Sequence, residues 1–237
     1  DAYATLASRF FNKPYEECYK LPDGSDTSER SQMKVVLLSS MYGASKFGLS
    51  RTLGISVDEA EEFRRTFFDT YKKIGAFIDK AQAFAKRNGF VWIGDKARKR
   101  RLPDARKRPK HIPYGKYWDD KYEDARKHNS SINQAMRQAP NAMVQGLAAI
   151  QTKVTMIELD KLVKARGWQW FAPIHDEIVL YTGDDLSAED IAEIDRIMTQ
   201  SYLLDGVDNA TDISIQKRWG ESITAEEYLN GTPVPGL

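Results

Sequence analysis

Residues 57–88 and 119–164 repeat their apolar side chains at the period of an α-helix, and together they make up about a third of the 237-residue chain. A chain built this way must form much of its core from packed helices. In the first stretch Phe63, Phe67, Phe68, Tyr71, Ile74, Phe77 and Ile78 share one face, and Gly89 signals the stop. The second contains Pro140, which lacks the amide that an interior helical turn needs, so this element is expected to kink or divide there. A short helix is expected over 1–11. A turn at 21–25 then leads to a helix capped by Asp26, Thr27 or Ser28 and running to about Tyr42. Elsewhere the period falls to that of strands. Residues 90–94 (FVWIG) read as one strand, 169–174 (QWFAPI) and 178–182 (IVLYT) as a hairpin with a polar turn, and 212–219 as a last strand after a helix over 187–204. This order predicts an α+β fold, with a helical part first and a small antiparallel sheet packed on helices later.

Composition adds a few exclusions. A single cysteine, Cys18, leaves no intrachain disulfide, and no apolar run is long enough to span a bilayer. With 35 Lys and Arg against 34 Asp and Glu, total charge favours no polyanionic partner. Its distribution says more, because residues 96–110 hold nine Lys and Arg against Asp104 alone. Prolines at 103, 109 and 113 make this stretch a loop or irregular hairpin, and it reads either as a solvated loop or as a surface that contacts phosphates. The first residue is Asp1 rather than Met, from which an upstream segment is expected.

Three short constellations carry chemistry. In residues 30–43, RSQMKVVLLSSMYG, the residues Arg30, Lys34, Leu38 and Tyr42 stand four apart and form one slanting helical stripe closed by Gly43. Either the cations are solvated while the apolar residues pack inward, or they hold an anion beside a flat surface suited to a base. In RQAPNAMVQG, Arg137, Asn141 and Gln145 repeat the spacing. They are either surface filler or a row of donors and acceptors able to read a minor groove. His175, Asp176 and Glu177 occupy the tip of the predicted hairpin. Adjacent acids there are either simply solvated or held on a rigid platform for a hard cation, for which magnesium is the natural choice.

Taken together these segments resemble family A DNA polymerases, the DNA polymerase I family. The stripe from Arg30 to Gly43 resembles the fingers-helix motif called motif B, and His175-Asp176-Glu177 resembles motif C of the palm. Residues 141–146 (NAMVQG) are similar to the segment before motif C, residues 88–104 to a connecting strand and turn, and residues 1–11 to the entry of the fingers. The resemblance implies fingers over 1–118, including the basic loop, and a C-terminal palm portion over 119–237. It implies that Arg30 and Lys34 hold a deoxynucleoside triphosphate, Lys34 also serving as acid for the departing pyrophosphate. Leu38 and Tyr42 would sit by the nucleotide and the nascent base pair, and Gly43 would let the template approach. Asp176 would ligate two magnesium ions with support from Glu177. Arg137, Asn141, Gln145 and His175 would contact primer-template DNA, and Arg98, Arg100 and Arg101 its phosphates.

The chain departs from that pattern in three places. Leu38 stands where an aromatic residue is usual, and Tyr3 where His is usual. Motif A, which bears the other metal-binding aspartate, is expected upstream of Asp1 or on a partner chain, so that this chain alone is expected to be inactive. Leu38 and the compact inserts are phage-like, and the resemblance implies a cytoplasmic location, that of a bacterial host if the protein is phage-encoded. Two alternatives are a fragment of a single-subunit phage-type RNA polymerase, which Glu177 disfavours, and a nucleic-acid-binding subunit without catalysis.

Overall fold

A computed structural model of the chain describes residues 1–94, 98–175 and 177–236, so Asp176 of the acidic triplet lies outside the described residues. The chain forms two compact units, Asp1–Leu147 and Ala148–Leu237.

The first unit opens with α1 (Ala2–Phe11), capped by the Asp1 carboxylate, which accepts from the amides of Tyr3 and Ala4. Of the three candidates to cap α2 (Ser28–Met41), Thr27 does so. Its buried hydroxyl accepts from the Arg30 amide at 3.2 Å and donates to the Cys18 carbonyl at 3.0 Å. A helix not foreseen, α3 (Lys46–Leu53), follows between a Ser45 cap and Gly54 in the left-handed region. The long helix expected over 57–88 is two, α4 (Val57–Thr70) and α5 (Lys72–Asn88), broken at Tyr71, whose φ of −115° and ψ of 58° are not helical. The Tyr71 hydroxyl donates to the Ala2 carbonyl 69 residues away, a contact that no local pattern encodes. Leu6, Cys18, Met33, Val36, Leu49, Phe63 and Phe67 form the core of these helices. Burial, with the Glu29 carboxylate nearby, pushes the Cys18 thiol up, so it behaves as a small apolar group rather than a nucleophile.

The basic stretch is more regular at its start than its prolines suggest. Here β1 (Phe90–Ile93) pairs antiparallel with β2 (Arg98–Arg101), Phe90 opposite Arg101 and Ile93 opposite Arg98. The helix α6 (Glu123–Arg166) is continuous through Pro140, where a kink or division was expected. Pro140 is buried, and Ala135 and Ala139 pack with Ala85, Val91 and Leu102, so packing offsets the missing hydrogen bond. For the same reason residues 119–147 count with the first compact unit, which ends within α6 at Leu147.

In the second unit β3 (Gln169–Ile174) and β4 (Glu177–Tyr181) form the expected antiparallel hairpin. Its inward residues Trp170, Ile178 and Leu180 pack against Leu159 and Val163 of α6 and against Ile197 of α7 (Ala188–Gln200). The last expected strand is itself half of a hairpin, β5 (Ser214–Arg218) with β6 (Glu221–Thr224), and a short α8 (Ala225–Leu229) follows. The fold is thus α+β, with helices and, among the described residues, three small antiparallel two-stranded sheets. No described helix is long and apolar enough to cross a membrane.

Candidate nucleotide and nucleic-acid site

The C-terminal end of α2 carries a concavity beside the stripe. Leu38, Ser39, Tyr42, Gly43, Ala44, Ser45 and Arg137 line an open depression of about 350 Å³. Gly43 has φ 75°, a left-handed conformation that ends the helix, and a Cβ placed on it would lie 2.8 Å from Cγ of Arg137. The glycine therefore does two things: it turns the chain, and it lets α6 bring an arginine against the helix end. Leu38 is half-buried, part of it packed on the core and part in the depression. The Tyr42 ring is 42% exposed, open to a ligand on one side.

The two cations of the stripe differ. Lys34 is exposed and forms no ion pair among the described residues. Arg30, by contrast, keeps only 12% of its side chain exposed and is held between the carboxylates of Asp1 at 2.8 Å and Asp26 at 2.5 Å, over the ring of Tyr3. Its Nε is buried with no hydrogen-bond partner among the described residues. Asp26 stands just before the Thr27 cap of α2, whereas Asp1 reaches Arg30 from 29 residues away.

Further along α6, Asn141 is half-buried and Gln145 exposed, on the stripe that begins with Arg137 but outside the residues lining the depression. The next residue, Gly146, admits Ile93, since a Cβ there would come within 2.7 Å of its Cγ2. Strand alternation puts Arg98 and Arg100 on one face of β2 and Arg101 on the other with Lys99, so the three arginines do not form one row. Lys99 sits over the rings of Phe90 and Trp92 at 4.6 and 4.7 Å.

In the second unit the hairpin brings His175 to an exposed tip with φ 57°, the sign that tight two-residue hairpin turns require at their first position. Glu177 follows, exposed at the start of β4. The platform is braced by Trp170, whose Nε1 donates to the Asp160 carboxylate at 3.0 Å. Lys164 and this indole hold the Asp160 carboxyl below the usual carboxylate range. Among the described residues no three His, Cys, Asp or Glu side chains gather as a metal-binding group. A cavity of about 600 Å³ runs along β4, between Ile178–Leu180, Ile194 and Met198 of α7, and residues 210–216. Nothing in the sequence signalled it, because its walls come from several separate segments, Leu159 of α6 among them.

The POL domain of Pol1 from M. smegmatis, solved in complex with a DNA primer-template and dNTP, matches with a TM-score of 0.67 and 25% identity over 86% of this chain and 32% of that one. Residues 1–221 match the family model described as DNA polymerase family A. DNA polymerase I of Streptococcus pneumoniae is 31% identical over 204 residues, which are 85% of this chain and 20% of that protein. The thermostable DNA polymerase I of Thermus filiformis is 29% identical over 199 residues, 83% of this chain and 21% of that protein. The chain belongs to DNA polymerase family A. It spans about a fifth of the length of these curated relatives. Membership in a DNA polymerase family does not favour the RNA polymerase alternative.

Proposed function

We propose that the chain supplies the fingers (1–118) and the C-terminal palm portion (119–237) of an enzyme that adds deoxynucleotides to a primer 3′ end under the direction of a template. The observation that carries this reading is the depression lined by Leu38, Tyr42, Gly43 and Arg137, with the exposed Lys34 one helical turn before it. A phenol beside a glycine that Arg137 packs against gives a shallow floor for a base pair, and an exposed ammonium nearby suits a triphosphate. Lys34 binds the phosphates and donates a proton to the leaving pyrophosphate. Arg30 joins it by exchanging Asp1 or Asp26 for phosphate. Leu38 offers the sugar and base an aliphatic surface in place of a stacking ring. Arg137, Asn141 and Gln145 meet the acceptors of the minor groove, and His175 lies by the primer end.

The donor chemistry of motif C fits magnesium, since carboxylate oxygens are hard ligands. Asp176 and Glu177 would hold the ion, which would supply charge neutralisation at the transferred phosphoryl group. The carboxylate that completes a two-metal site comes, in this reading, from a segment outside residues 1–237, in the same polypeptide or a partner. That β4 has a strand neighbour on one side only among the described residues, with a cavity along it, supports a further strand there. The reaction belongs to a bacterial cytoplasm, that of a host if the gene is carried by a phage.

Primer extension tests the proposal. The purified chain is expected to bind primer-template weakly and not to extend it, and a polypeptide bearing a D-x-S-x-x-E motif A strand should restore magnesium-dependent extension. Robust extension by the chain alone, silenced by Asp176→Ala, would overturn the need for the second segment. No extension by any reconstituted mixture would overturn the polymerase reading.

A further inference from the structure

Between the basic hairpin and α6, residues 107–122 form a loop whose aromatic side chains face water. Tyr114 is fully exposed, Trp118 is 83% exposed and Tyr117 is 52% exposed. Exposing two tyrosines and a tryptophan within five residues forfeits the stabilisation that burying large apolar side chains brings. A slack loop would relieve that by folding its rings inward, but this one is tied to the start of α6 at three points. Asn129 both donates to the Lys110 carbonyl at 2.8 Å and accepts from its amide at 2.7 Å. The His128 Nε2 lies 2.9 Å from the Arg108 carbonyl. Arg126 donates to the carbonyls of Tyr117 and Asp119, and its guanidinium lies 6.0 Å from the ring centres of both Tyr117 and Trp118. The two rings meet edge to face at 5.0 Å. The hydrogen bonds therefore hold the loop in the shape that presents its rings.

The charge around the rings identifies what they are presented to. Residues 98–128 contain twelve Lys and Arg against five Asp and Glu. Two of those cations, Lys107 and Lys127, are paired with Asp104 and Glu123, and Arg108, Lys110, Lys116 and Lys121 form no ion pair among the described residues. Rigid exposed aromatics set among such cations are what an unpaired nucleic-acid strand requires, because each base has a face to stack and each nucleotide carries a phosphate. A duplex offers its phosphates but keeps its base faces stacked inside.

We propose that the 107–122 loop is a stacking platform for single-stranded nucleic acid, with Tyr114 and Trp118 taking bases and Lys110, Lys116 and Lys121 the backbone. The proposal goes beyond the polymerase reading, and its test reads no catalysis. Binding of a fluorescein-labelled (dT)20 strand and of a blunt 20-base-pair duplex to the purified full chain is measured by anisotropy. In Tyr114→Ala/Trp118→Ala, (dT)20 affinity is expected to fall by about tenfold or more, in line with base–aromatic stacking elsewhere, while duplex affinity and the melting temperature stay as in the parent. Trp118→Phe, which keeps a ring, should retain most of the binding. An unchanged (dT)20 affinity in the double variant would overturn the proposal, as would an equal loss for the duplex. A parent chain that does not bind (dT)20 would overturn it too and hand the rings to a polypeptide partner.

Discussion

Residue by residue, the stripe on α2 divides its work between function and structure. Lys34 is exposed, so its removal leaves the core intact. In a reconstituted polymerase Lys34→Ala is expected to slow incorporation by about 10²–10⁴-fold, the usual range for a positioned proton donor, with an unchanged melting temperature. Single-turnover kinetics beside a thermal melt would check this, and a matching loss of stability would make Lys34 structural instead. Gly43 makes the opposite forecast. Its left-handed φ of 75° and the 2.8 Å approach of Arg137 mean that Gly43→Ala strains the backbone and collides with a side chain. The backbone part alone costs about 1–2 kcal/mol. Thermal unfolding should show that loss in Gly43→Ala, and Gly43→Ala/Arg137→Ala should recover only the steric remainder; a fully recovered double variant would mean that the backbone is unstrained.

Among the elements, α7 has the most explicit start. The Ser187 hydroxyl accepts from the Asp190 amide at 3.1 Å and donates to its carboxylate at 2.6 Å, while Arg166 pairs with the other carboxylate oxygen at 2.7 Å. The Ser187 hydrogen bond first, then the Ser187 amide and Arg166, hold the Asp190 carboxyl below its ordinary range. A carboxyl depressed in the folded state contributes stability above the unfolded value of about 3.9 and loses it as pH falls through the folded value. Ser187→Ala should therefore cost about 1 kcal/mol near neutrality. The gap in melting temperature between the parent and Asp190→Asn should close as pH drops below about 4. A gap that persists in acid would mean that the charge of Asp190 is not what matters.

For the whole molecule, a net charge of +1 conceals a basic segment that begins at the β1–β2 hairpin. If Arg98, Arg100 and Arg101 meet duplex phosphates, reversing their charge weakens binding equally for all sequences. It also lowers the slope of log affinity against log salt by about 0.9 for each phosphate that is no longer neutralised. Titrations of primer-template at several salt concentrations would read that slope, and an unchanged value returns the hairpin to a solvated role. The arginines lie on two faces of β2, so a slope change carried by Arg98 and Arg100 together and not by Arg101, or the reverse, would also show which face meets the duplex.

Periodicity, and chemistry carried within a few residues, made part of the molecule legible from its sequence. This covers the α+β class, the helix of the stripe, the β3–β4 hairpin with His175 and Glu177 at its tip, and the spacing of Lys34, Leu38, Tyr42 and Gly43. Each is written locally, because side chains four apart on a helix or alternating on a strand share a face whatever surrounds them. The tertiary structure supplied the rest. It placed a break at Tyr71 in the 57–88 helix, where the Tyr71 hydroxyl reaches the Ala2 carbonyl, and it kept α6 continuous through Pro140 because packing offset a local cost. It also committed Arg30 to Asp1 and Asp26, and brought Arg137 against Gly43 from a distant stretch of the chain. Contacts between distant segments depend on which surfaces the whole chain buries together, and no window of sequence contains that information.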